Sequence, residues 1–121
     1  MHNYKELIIW KRAIKLAVEV YKISASLPID ERYGLTSQIK RAVVSIASNI
    51  AEGAGRNTDG EFVQFLGIAN GSSFELTTQL IISSKLGLLK EEQVTSLLNE
   101  LDEIQKMLYK FMNGLSNKKR Q

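Results

Sequence analysis

Four side chains in the middle of the chain could do acid–base or ion-pair chemistry: Arg41, Glu52, Arg56 and Glu75. Carboxylate catalysis needs two acids brought together in a pocket. Glu52 and Glu75 are the mid-chain acids, and Arg41 and Arg56 stand near enough in sequence to neutralise them. Taken with Ser45 and Asn49, these residues read as a buried structural network of ion pairs and hydrogen bonds, because such networks are commoner than catalytic ones. Other reactive groups are scarce. His2, the single histidine, sits at what reads as a floppy N-terminal end. A di-iron bundle needs inward Glu-x-x-His pairs, and a nucleophile needs its base. Cysteine is absent, which excludes disulfides and thiolate metal sites and fits a reducing cytoplasm. Gly53-Ala54-Gly55 lacks the preceding strand and the later glycine and Lys-Ser/Thr of a phosphate loop. A non-enzyme with no catalytic residue, metal or cofactor is expected.

Charge offers the other chemistry. On a helix, Lys11, Lys15 and Lys22 fall within roughly 40° of one another, with Arg12 beside them. Together with Lys118, Lys119 and Arg120 at the end of the chain, they are the candidate nucleic-acid contacts. The ridge reads either as a row of phosphate contacts or as a solvated helix face. The net charge of +3 and pI of about 9.2 permit polyanion binding without requiring it.

The elements that must position these groups are all helical. Periodicity predicts helices over about residues 4–26, 37–53, 58–86 and 90–113, followed by a frayed basic tail over 116–121. Asn3 with Glu6 suggests a capping box for the first helix and Thr58 with Glu61 one for the third. Thr36 or Ser37 can cap the second. Gly34 is expected at a positive φ. Gly53 and Gly55 are expected to end the second helix, and Gly87 the third. Core stripes run through Ile9, Ala13, Leu16 and Val20, through Ile39, Val43, Ile46 and Ile50, and through Val94, Leu97, Leu101, Ile104 and Leu108.

The third helix is apolar or small on two sides. Phe62, Phe65, Leu66, Ala69, Leu76 and Leu80 form its core stripe. Val63, Gly67, Asn70, Gly71, Phe74, Thr78 and Ile81 lie on the other side, with few charges anywhere. A helix apolar on both sides is normally buried on both, and a second copy of the chain is the simplest cover. Gly67 and Gly71 would let backbones approach closely there. The short polar face of the second helix, including Ser45 and Asn49, suits either an interface or tight packing within one chain.

With 44% hydrophobic and 24% charged residues, a 121-residue chain suits one folded domain. The fold class expected is all-α: an up-down-up-down antiparallel four-helix bundle that is homo-oligomeric. The opening MHNYKELIIWKR shows no signal-peptide pattern, and the charge-free run Phe62–Phe74 is too short to span a bilayer. A cytoplasmic protein without a membrane partner is expected.

Leu7, Trp10, Lys11 and Ala13 open a recognisable series of residues. It continues with Pro28, Glu31, Tyr33-Gly34-Leu35, Gln38, Arg41-Ala42, Ser45-Ile46, Asn49-Ile50-Ala51-Glu52-Gly53 and Arg56. In the third helix it takes in Phe62, Phe65-Leu66, Ala69, Gly71-Ser72, Glu75-Leu76, Gln79-Leu80 and Leu86-Gly87. Over residues 7–87 the chain thus resembles the 23S rRNA intervening-sequence proteins, small bacterial four-helix bundles. Ala47-Ser48 stands where members often carry Pro-Ala, which makes the second helix more regular. The resemblance implies a non-enzymatic homo-oligomer. A relative, the accessory variability determinant of diversity-generating retroelements, is a pentamer that binds nucleic acid and a reverse transcriptase. The resemblance therefore implies a pentamer, RNA or DNA as partner, and, as the alternative, a scaffold for a protein such as a reverse transcriptase.

Overall fold

The structure, a computed structural model, describes residues 1–119, with positions 118 and 119 described by backbone alone. The described residues form four α-helices and no strand: α1 (Ile8–Ser24), α2 (Leu35–Ala54), α3 (Asp59–Lys85) and α4 (Glu91–Lys119). Short 3-10 turns, Tyr4–Glu6 and Ile29–Glu31, precede α1 and α2. Contacts run α1 to α2, α2 to α3, α3 to α4 and α4 back to α1, so the helices close a ring around one core. Leu16, Ile39, Ile46, Ile50, Leu66, Leu76, Leu80, Leu101, Ile104 and Leu108 are fully buried in it. Burying each such side chain contributes about 1.5–3 kcal/mol. Among the described residues, no helix is long and apolar enough to cross a membrane.

The helix ends depart from the sequence reading for local reasons. Asn3 accepts a hydrogen bond from the Lys5 N–H at 3.2 Å, capping the 3-10 turn, so α1 begins four residues later than position 4. His2 is not floppy: its N–H donates to the Ala54 carbonyl at 2.8 Å, and its ring lies 5.0 Å from that of Phe62. The cap expected of Thr36 or Ser37 is supplied by Glu31, whose Oε2 accepts the Leu35 N–H at 3.1 Å. Gly34 has φ −114°, so a positive φ is not its reason. A Cβ there would stand 2.8 Å from that same Glu31 oxygen.

Gly55 caps the end of α2 as expected, whereas Gly53 lies within the last turn and is buried. A Cβ at Gly53 would lie 2.7 Å from the Phe65 Cβ, so the glycine marks a close approach of α2 and α3. Thr58 does cap α3, its Oγ1 accepting the Glu61 N–H at 3.1 Å. At the other end Gly87 takes φ +73°. Its N–H donates to the Ser84 carbonyl at 3.0 Å and that of Leu88 to the Ser83 carbonyl at 2.9 Å. This is the paired ending that a left-handed glycine allows. Finally, α4 continues through Lys119 rather than stopping near 113, because Leu115 is buried and extends its core stripe.

Candidate nucleic-acid interface and assembly face

The expected buried polar network divides into three parts. Ser45 and Asn49 are half-buried: the Ser45 hydroxyl lies 2.8 Å from that of Ser72 on α3, a residue the expected network did not include, and Asn49 Nδ2 donates to the Ser45 hydroxyl at 2.9 Å and carbonyl at 2.8 Å. Glu52 and Arg56 instead form an exposed pair four residues apart in sequence, 3.1 Å, with the Arg56 guanidinium 4.7 Å from the Phe65 ring centre. Glu52 faces solvent from the last turn of α2 and Arg56 stands exposed in the bend beyond it, so burial was the wrong expectation for both. Arg41 and Glu75 are also exposed and make no ion pair among the described residues. Both line a groove between α2 and α3 that also contains Gln79, whose Oε1 is buried without a partner.

The basic ridge loses a member. Arg12 is committed to Glu100 of α4, with Nε and Nη2 donating to the two carboxylate oxygens at 2.8 Å each. That fork is the strong geometry for guanidinium and carboxylate. The hydrogen bond, opposed by partial burial, holds the Glu100 carboxyl below its ordinary range and raises Arg12 above its own. Arg12 therefore joins α1 to α4 through this pair. Lys11, Lys15 and Lys22 are exposed. Lys118 and Lys119 belong to the last turn of α4, while their side chains, and Arg120 altogether, lie outside the described residues.

The outer side of α3 is bare. Gly67, Gly71, Phe74, Thr78 and Ile81 are exposed, and Val63 and Asn70 are half-buried at its flank. Phe74 is 54% exposed, and Ile68 and Ile82, which the stripe reading omitted, are 52% and 42% exposed. The apolar patch is thus wider than the sequence stripe and is centred closer to Gly71. Inside the helix, Ser73, Thr77, Thr78 and Ser83 donate to carbonyls three or four residues back. That bonding lets α3 carry many hydroxyls without unsatisfied donors. A Cβ at Gly67 or Gly71 would meet nothing within 4 Å, so no contact inside the chain requires either glycine.

A further groove, which the sequence did not reveal, runs along α2 from the turn before it as far as Asn49, with Tyr21 of α1 at its side. Its volume is about 680 Å³, and Tyr21, Arg32, Tyr33, Lys40 and Arg41 line it with several hydroxyl residues. Lys40 Nζ lies 4.9 Å from the Tyr21 ring centre, and the Arg32 guanidinium 5.7 Å from that of Tyr33. Three separate segments contribute to this grouping, so spacing along the chain carries no trace of it.

Fold and surface define a small all-α protein of four helices ringed around one core. The chain belongs to the 23S rRNA-intervening sequence protein family, whose family model matches residues 5–110. The match takes in most of α4, beyond the stretch 7–87 whose motifs carried the resemblance. Among solved structures, the chain is similar to the crystal structure of a protein of unknown function from the S23 ribosomal protein family of Bacteroides thetaiotaomicron VPI-5482. That likeness has a TM-score of 0.80 at 24% identity over 87% of this chain and 98% of the other, which speaks to the fold. Comparison with curated proteins finds no match.

Proposed function

We propose that the protein is a non-catalytic, cytoplasmic helical bundle that assembles with copies of itself and holds nucleic acid weakly through phosphates. The observation that carries this reading is the uncovered side of α3, where Ile68, Phe74, Ile81 and Ile82 surround two glycines with no partner in the chain. Exposed apolar patches of this kind mark interaction sites, and a pentamer is the assembly that the resemblance implies. An up-down-up-down course is supported by end-to-end contacts. Phe62 at the start of α3 lies 5.3 Å from Phe111 near the end of α4, and Gly53 near the end of α2 packs on Phe62 and Phe65.

Lys11, Lys15 and Lys22 on each copy supply the phosphate contacts in this reading, and assembly multiplies a weak single-copy affinity. The test is the double variant Phe74→Glu/Ile81→Glu. It is expected to dissociate to single chains and to lose ~100-fold or more in affinity for RNA through lost avidity. A variant that keeps both its assembly and its affinity refutes the reading. A protein-interaction scaffold, for example a reverse-transcriptase accessory subunit, is a second reading. It draws support from an apolar groove lined by Leu7, Ile8, Ile9, Met107 and Phe111. Purification with a stoichiometric protein and no nucleic acid favours it over the first.

A further inference from the structure

We propose that the groove along α2 is a binding site for single-stranded nucleic acid, with Tyr33 as a stacking platform and Arg32, Lys40 and Arg41 as its phosphate contacts. This deepens the nucleic-acid reading above and rests on it. The groove is lined by three cations and no carboxylate, so its ligand is anionic. Phosphate alone needs no aromatic surface, yet Tyr33 is 89% exposed on the turn that leads into α2. That turn is held: the Gly34 N–H donates to the Glu31 carbonyl at 3.0 Å, and Glu31 caps Leu35.

An exposed tyrosine on a held turn, beside cations, is what base stacking on a tracked backbone uses. Arg32 and Lys40 add cation–π contact to Tyr33 and Tyr21 respectively. Ser37 and Ser48 add hydroxyls that can bond base edges. A duplex hides its base faces, and an acidic peptide has none, so the unpaired strand is the ligand that uses every feature.

Fluorescence anisotropy on the full chain tests this, with a labelled oligo(U) strand and an RNA duplex of equal length, between about 50 and 200 mM salt. Tyr33→Ala is expected to weaken single-strand binding by ~10-fold, as loss of one stacked base predicts, with an unchanged salt slope. Tyr33→Phe should bind like the wild type, and duplex binding should be indifferent to both. Lys40→Gln or Arg41→Gln should each make the single-strand salt slope shallower by ~0.7. Circular dichroism confirms that each variant is folded, as the exposure of Tyr33 leads one to expect. If Tyr33→Ala binds the strand as tightly as the wild type while the Lys11→Gln/Lys15→Gln/Lys22→Gln variant loses affinity, the groove is overturned and phosphate binding stands. If the wild type binds neither strand nor duplex at low salt, both readings fall. Competition by polyglutamate equal to that by oligo(U) also overturns the single-strand assignment.

Discussion

Replacing Gly67 and Gly71 with alanine separates the needs of the single chain from those of an assembly. Both positions are exposed on the middle of α3, and a Cβ at either meets nothing within 4 Å. Alanine is favoured over glycine in a helix interior by about 1 kcal/mol per residue. With no steric penalty to subtract, the double variant should stabilise the isolated chain by about 2 kcal/mol. For a domain of this size that raises Tm by roughly 8–16 °C at the 4–8 °C per kcal/mol typical near 100 residues. If α3 meets a second copy at close backbone distance, the same two methyl groups stand in the contact and weaken it. The expected outcome is therefore opposite in sign for the two readouts: thermal unfolding of dilute, dissociated protein improves, while light scattering shows assembly shifted to higher concentration. Improved stability with unaltered assembly would refute the close approach at this face. Reduced stability of the single chain would refute the open surroundings on which the reasoning rests.

Gly53→Ala should act the other way, because its Cβ would press on the Phe65 Cβ at 2.7 Å, near the α3 backbone where little can yield. Overpacking costs about 1–3 kcal/mol, only partly offset by the helix preference for alanine; urea unfolding at wild-type stability would contradict the close α2–α3 contact. Glu100→Gln should destabilise by at most about 1 kcal/mol at neutral pH, since the Arg12–Glu100 pair is partly solvated. The Glu100 carboxyl is held below its ordinary value, so its contribution is complete above about pH 4.3 and disappears as pH falls through the lowered value. The difference between Glu100→Gln and wild type should thus shrink in acid, and a gap that widens there would reverse the sign of the linkage.

The core was legible because its spacing is local. Ile39, Val43, Ile46 and Ile50 keep one helical face, and all four are buried. The same stripe, carried three residues on, reaches Gly53, so the burial of that glycine was available from periodicity although its type suggested only an ending. Leu115 likewise continued the α4 stripe past position 113, where the helix was expected to stop. What the sequence could not carry was pairing across the fold. Arg12 and Glu100 are 88 residues apart, so a cation that belonged to a ridge by spacing proved to be held by a distant carboxylate. Arg41 and Glu75 looked like network members because structural ion-pair networks are commoner than catalytic ones, yet both side chains are exposed. Tyr21, Tyr33 and Lys40 meet only once α1, the turn and α2 are folded together.

The mass of the native protein in solution, measured by multi-angle light scattering over a wide concentration range, bears most directly on the central claim. With α3 covered by further copies, the particle should weigh a whole-number multiple of the 13.6 kDa chain. A particle of 13.6 kDa that persists at the highest concentration, leaving Phe74 and Ile82 in water, would contradict it.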